Sequence, residues 1–391
     1  MDDFDPFSEA YFDDPFSFYR RLRDEAPGLY VPRYDCFFLS RFEDVWDAVS
    51  NPAFSHGKGT TSMELLLGAP RHSTALSSML PPGHTALRKS IADAFTPSAA
   101  RRLEAPTREL VSDFLDGALA TGKLDVISDL ALRISARVAF LILGLPLEDA
   151  DVVAGRVNDT FHRSEGVRGN TERAAEASQV LHAYLAEKIE ERRARSGEPD
   201  DLIGALLHYE HEGQRLSDEQ LVSNVFLLVV GGTETLPKVF SGLLYQLWKH
   251  PEQRAEVARD PRLAKDAFWE GLRYEMPTLM LGAAAEEDTE ICGGTPVRRG
   301  QKLMHLWVSA NRDEREFEEP DRFDIHRRAE RILSFNHGRH RCLGAHIAQM
   351  EGRVLLEELL ARIPDYEVIE GEAVRIRSEF FRGFSRLPIR F

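Results

Sequence analysis

Phe335-Asn336-His337-Gly338-Arg339-His340-Arg341-Cys342-Leu343-Gly344-Ala345 is the stretch that decides how this chain folds. A loop rich in glycine and cations runs into a cysteine, and a helical pattern follows to about Arg362. The bare N–H groups of a helix N-terminus, with arginine and histidine nearby, favour thiolate over thiol because both stabilise the anion. A thiolate so supported is a ligand or a nucleophile. A cysteine taken alone is more often a small buried apolar residue. Gly338 and Gly344 tilt the reading, since they flank the cysteine where a flat group could press against the backbone.

Working outward, the most informative helix is 217–249. Ser217 and Gln220 form a capping-box pattern ahead of Leu221-Val222, and His250-Pro251 closes the far end. At 1.5 Å per residue this helix is about 50 Å long, enough to cross a whole domain. Residues 225–230, Val-Phe-Leu-Leu-Val-Val, are apolar all round, as a buried core helix requires. The pattern then breaks at Gly231-Gly232-Thr233-Glu234-Thr235-Leu236-Pro237, where packing alone would place leucine and alanine. Either the helix kinks with solvated polar residues, or it opens to admit a ligand and polar chemistry.

The remaining pattern predicts a mainly α chain with a minor β region. Helices are expected over 82–275 and 343–363, and the β parts mainly over 28–60, 279–300 and 366–391. Loops are marked at 197–199 and 293–296, with a polar connection at 166–176. No linker divides the chain, so residues 1–391 read as a single domain.

Composition narrows the function classes. Hydrophobic residues at 43% and charged ones at 29% give an ordinary globular balance rather than a disordered one. Acidic residues outnumber basic ones 64 to 49, and a net charge of −15 argues against a nucleic-acid partner. No apolar run reaches the ~18 residues of a membrane span, and Met1-Asp2-Asp3-Phe4-Asp5 has no signal-peptide character, so no membrane attachment is expected. Three cysteines point to a reducing cytoplasm rather than a disulfide framework. There is neither a Gly-x-x-x-x-Gly-Lys phosphate loop nor a Gly-x-Ser-x-Gly elbow, so reducing power is expected from a separate protein.

The cysteine loop resembles that of the cytochrome P450 family, whose Phe-x-x-Gly-x-x-x-Cys-x-Gly pattern is met by Phe335, Gly338, Cys342 and Gly344. Further stretches match in the family's order. Glu270-Gly-Leu-Arg273 resembles its Glu-x-x-Arg, a spacing that puts both charges on one helix face. Ala310-Asn-Arg-Asp313 and Pro320-Asp-Arg-Phe323 are similar to the region that follows. Gly231-Gly-Thr-Glu-Thr235 is similar to the family's oxygen-activating stretch, and His84-Thr-Ala-Leu-Arg88 to the helix that clamps the haem propionates.

The resemblance implies a cytochrome P450-like fold with haem b (iron protoporphyrin IX) between the long central helix and the cysteine-loop helix. Cys342 would be the axial ligand of the iron, its electron push favouring O–O cleavage. Phe335, Gly338, Gly344 and Gly231 would shape the haem site, and His84, Arg88 and His340 would neutralise the propionates. Glu234 and Thr235 would be the catalytic acid–alcohol pair that handles protons. Glu270 and Arg273 would be structural, a buried ion pair joined by Arg312 or a nearby carbonyl. The implied activity is a monooxygenase that inserts one atom of O2 into an apolar small molecule by hydroxylation or epoxidation. A ferredoxin and its reductase would supply electrons, drawn to five arginines (327, 328, 331, 339, 341) set against one acid, Glu330. The alternatives are a haem-thiolate sensor without turnover and a peroxide-driven oxidase; the Glu234-Thr235 pair favours the oxygenase.

Three features depart from the family pattern. Asn336 stands where glycine is usual, which the loop should tolerate if it still turns. Leu236 and Pro237 follow Thr235, and proline lacks the N–H that would bond the Thr233 carbonyl. Ala283, in Ala283-Ala-Ala-Glu-Glu-Asp288, stands where the family has its propionate-binding arginine, with Arg298 or Arg299 as conceivable substitutes. The substrate pocket is expected from 57–80, 160–175, 224–235, 277–283 and 379–382. These offer Met63, Leu65, Leu66, Leu67, Phe161, Phe226, Val230, Leu279, Met280, Phe380 and Phe381, with His162 or Thr278 as polar handles. That lining suits a terpenoid, steroid, polyketide or fatty acyl group.

Overall fold

The computed structural model describes residues 3–69, 74–164, 166–195 and 200–391. The expected loop at 197–199, the residues Met1 and Asp2, and part of the expected pocket segment at 70–73 lie outside the described residues. The chain forms two compact units, neither of them continuous in sequence. The first comprises 1–72, 269–342 and 375–383; the second comprises 73–268, 343–374 and 384–391.

In the first unit, β1 (Gly28–Val31), β2 (Cys36–Leu39), β3 (Phe54–Ser55), β4 (Met280–Ala285) and β5 (Lys302–Leu306) form one sheet in the order β1-β2-β5-β4-β3. β5 runs parallel to β2 and antiparallel to β4. The register pairs Leu303 with Ala283 and His305 with Leu281. Side chains alternate along a strand, so Ala283 and His305 lie on the same sheet face, diagonal to each other.

The expected β region 28–60 also contains a helix, Phe42–Ser50. Phe42, Val45 and Ala48 recur every three residues and are all buried, so one helix face seals against the core. The β region beyond 279 continues past 300 to Leu306.

The second unit is mainly helical. Its central helix runs Asp218–Lys249 with Ser217 as N-cap, and both halves of the capping box with Gln220 are formed. By length and composition this helix could cross a membrane, yet 67% of its most apolar window is buried inside the protein, as a core helix should be. Within the stretch expected to be helical, Lys123–Asp125 is a strand paired with Pro388–Arg390. Three residues between two helices carry too little pattern to betray a strand whose partner is more than 260 positions away. The polar connection 166–176 is shorter than expected, because the helix Glu172–Ala194 starts inside it, capped by Thr171. The cysteine-loop helix is Ala345–Arg362 and packs with the central helix in this unit.

Candidate active site

The cysteine loop is a tight, left-handed turn. Asn336 sits at φ +56° and Gly338 at φ +65°. Asparagine tolerates that region better than most residues, so its replacement of the usual glycine costs the turn little. Gly338 is needed for a second reason. A Cβ there would come within 3.1 Å of the Val49 carbonyl at the end of the helix Phe42–Ser50. The same helix stacks Trp46 on His337, with ring centroids 3.7 Å apart. The loop closes as the Cys342 N–H donates to the Phe335 carbonyl at 2.7 Å. Cys342 is exposed, three positions before the first residue of the helix Ala345–Arg362.

The other two cysteines lack that setting. Cys36 is buried in β2, and burial pushes its thiol well above the ordinary range. Cys292 is pushed up to about 12 by burial and by the neighbouring Asp44 carboxylate. Neither is poised to be a thiolate, so Cys342 has no rival.

A pocket opens beside the loop, within the first unit. His340, Arg339 and Asn336 line it from the loop, and His56, Ala283 and His305 line it from the sheet side. The rings of His56 and His340 lie 4.0 Å apart. No carboxylate is among the lining residues, so the pocket presents cationic and N–H groups to whatever enters. His340 was legible in the sequence. Arg339 was assigned there only to the electron donor's docking face; His56 and His305 were not assigned, although a histidine inside the apolar strand Leu303-Met304-His305-Leu306 is a visible oddity.

In the second unit the central helix runs unbroken through 231–237, and its polar residues divide the work. Gly231 is exposed, and a Cβ there would meet nothing within 4 Å. Gly232 instead lets the helix Leu132–Leu143 approach, since its Cβ would stand 3.0 Å from that of Ala139. Thr235 lies one turn after Gly231 and its hydroxyl donates to the Gly231 carbonyl at 3.2 Å. Glu234 lies about 100° around the axis from Thr235. It is 1% exposed and ion-paired with Lys238, whose Nζ also donates to the Glu234 carbonyl at 2.9 Å. No hydrogen bond joins Glu234 to Thr235 among the described contacts. The expected acid–alcohol pair is thus an alcohol on the open face and a buried acid whose Oε2 pairs with Lys238 while its Oε1 has no hydrogen-bond partner among the described residues. On a separate helix, Gly83–Ile91, His84 is buried and Arg88 half-buried, one turn apart.

Glu270 and Arg273 are structural, as their residue types suggested. Arg273 is fully buried and donates to both Glu270 oxygens at 2.7 and 2.8 Å, and to the Asn311 and Pro320 carbonyls at 2.9 Å. Arg312 does not join them; it bonds Asp321 and stacks on Tyr274. Two of the five loop arginines are also committed internally, Arg327 to Glu270 and three carbonyls, and Arg331 to Glu316 and Glu43. Arg328, Arg339 and Arg341 remain exposed. Of the expected pocket lining, Leu65, Leu66, Leu279, Met280 and Phe381 are buried, whereas Met63, Leu67, Phe161, Phe226, Val230 and Phe380 are partly open, as are the polar handles His162 and Thr278.

The residues fit haem. An exposed cysteine heads the loop, Gly231 and Gly344 both face open space, and an acid-free pocket with an arginine suits carboxylates. Comparison with known proteins agrees. The cytochrome P450 family model matches residues 151–388. Putative cytochrome P450 123 of Mycobacterium bovis is 36% identical over 392 residues, covering 98% of this chain and 96% of that protein. The vitamin D(3) 25-hydroxylase of Pseudonocardia autotrophica is 33% identical, with the same coverage of both chains. A mutant of P450 EryK in complex with erythromycin B superposes with a TM-score of 0.86 at 30% identity, over 97% of this chain and 96% of that one. An exposed cysteine closing a left-handed loop, a core helix that carries exposed Gly231 beside Thr235, and relatives aligned along nearly the whole chain lead to one conclusion: this protein belongs to the cytochrome P450 family of haem monooxygenases.

Proposed function

We propose that this enzyme inserts one atom of O2 into an apolar small molecule of terpenoid, steroid, polyketide or fatty acyl type. The observation that carries the reading is the exposed Cys342 at the head of a loop whose backbone is held in place by Phe335, Gly338 and Trp46. Haem b, held by that thiolate, supplies the oxygen-activating chemistry, with the thiolate's electron push favouring O–O cleavage.

The chain's own residues do the rest. His84, Arg88 and His340 are the donors that this reading assigns to the propionates. Thr235 Oγ1, resting on the Gly231 carbonyl, holds a proton on the open face of the central helix and passes it on during oxygen activation. The Glu234–Lys238 ion pair fixes that part of the helix, so Thr235 keeps its place. Partly open apolar side chains such as Phe226 and Val230 exclude water and favour an apolar substrate. The relatives named for vitamin D(3) hydroxylation and for binding erythromycin B favour a bulky, largely apolar ligand.

A ferredoxin with its reductase is the electron source we favour. Exposed Arg328, Arg339 and Arg341 offer an acidic partner a cationic face in a chain whose net charge is −15. The reading places the enzyme in the cytoplasm. A library of apolar compounds, screened by ligand-induced spin shift, identifies a substrate. Turnover of that compound with ferredoxin, reductase and 18O2 should then place one labelled oxygen in each product molecule. Label from water, or turnover that needs hydrogen peroxide and ignores ferredoxin, contradicts it.

A further inference from the structure

The family's propionate-binding arginine is missing at Ala283, yet the pocket that Ala283 lines is not short of donors. His305 is 2% exposed, lines the same pocket, and its Nε2 has no hydrogen-bond partner. A buried imidazole nitrogen without a partner carries its desolvation penalty uncompensated, a cost that a structure normally removes. The strand register explains why this histidine stands in the right place. Leu303 on β5 faces Ala283 on β4, so His305, two residues further along β5, shares the sheet face of Ala283. Diagonal neighbours of this kind are roughly 7–8 Å apart, within reach of a long side chain. An arginine at 283 and a histidine at 305 would therefore deliver their N–H groups to the same space.

We propose that His305 has taken over the propionate contact that Ala283 cannot make, donating its Nε2–H to a haem propionate carboxylate. The inference rests on the haem reading above and adds a cofactor-binding residue to it. Burial lowers the affinity of His305 for a second proton, and the neutral ring can still donate through Nε2–H. The pocket supplies charge separately, through Arg339, with His56 and His340 beside it. The other conceivable substitutes do not reach it. Arg298 and Arg299 are exposed in the turn after the strand Thr295–Val297 and do not line the pocket.

The test uses the holoenzyme and reads haem retention as transfer to apomyoglobin. A hydrogen bond to a charged group is worth about 1.5–3 kcal/mol, so His305→Leu should lose haem about tenfold faster, or more. The same variant should keep the thiolate-type Soret band under carbon monoxide, and its propionate-bending band in resonance Raman should shift. Adding Ala283→Arg to His305→Leu should restore retention. His305→Gln keeps an N–H donor and should fall between wild type and His305→Leu; if His305→Leu does not fold, His305→Gln decides by its propionate band. Wild-type transfer rates with an unmoved propionate band in the variants would overturn the assignment of His305 alone. A wild-type protein without the thiolate band would overturn the haem-thiolate reading beneath it.

Discussion

Arg273→Leu should destabilise the protein by about 3–5 kcal/mol, the usual cost of breaking a buried ion pair by removing one partner. The substitution strips Glu270, which is 2% exposed, of its bidentate cation, and leaves the carbonyls of Asn311 and Pro320 without their shared donor. Arg327 still reaches Glu270 at 3.3 Å, but it is already divided among the carbonyls of Glu318, Glu319 and Arg322. Domains are commonly stable by only about 5–15 kcal/mol, so a loss of this size should leave little folded protein at working temperature. Arg273→Lys should recover only part of it, because an ammonium cannot reproduce the planar fork that spans Glu270 and two loops. Urea unfolding followed by circular dichroism checks this. A midpoint unchanged in Arg273→Leu would show that the network is ornamental.

Thr235→Ala should leave the protein folded and still consuming reductant, while product per electron falls by about tenfold or more and hydrogen peroxide rises. Positioned proton donors commonly contribute factors of about 100 to 10,000, and the Thr235 hydroxyl is the side-chain donor on the open face beside Gly231. Thr235→Ser retains the hydroxyl and should retain most of the coupling. Unchanged coupling in Thr235→Ala would mean that protons travel by another route.

Much of this site is local, and the local part was legible in the sequence. The caps of the central helix depend on Ser217, Gln220 and His250, and all three act where their spacing places them. The cysteine loop needs left-handed backbone at Gly338, and the sequence puts glycine there. What escaped the sequence depends on partners distant along the chain. Trp46 and Val49 brace the cysteine loop from nearly 300 residues away, and nothing in Phe42–Ser50 marks that duty. The Glu234–Lys238 pair has helical i, i+4 spacing, but only the structure reveals that it is buried and engages one oxygen of the acid. Gly231 and Gly232 look equivalent in sequence; one faces open space and the other a neighbouring helix. His305 needed the strand register to come beside Ala283.

All of these roles assume that Cys342 holds the iron. The direct test is the absorption spectrum of the reduced protein under carbon monoxide, wild type against Cys342→Ser. The account predicts the red-shifted Soret band of thiolate ligation in the wild type and its loss in Cys342→Ser, with Cys36→Ser and Cys292→Ser unaffected. A band that survives in Cys342→Ser would contradict it.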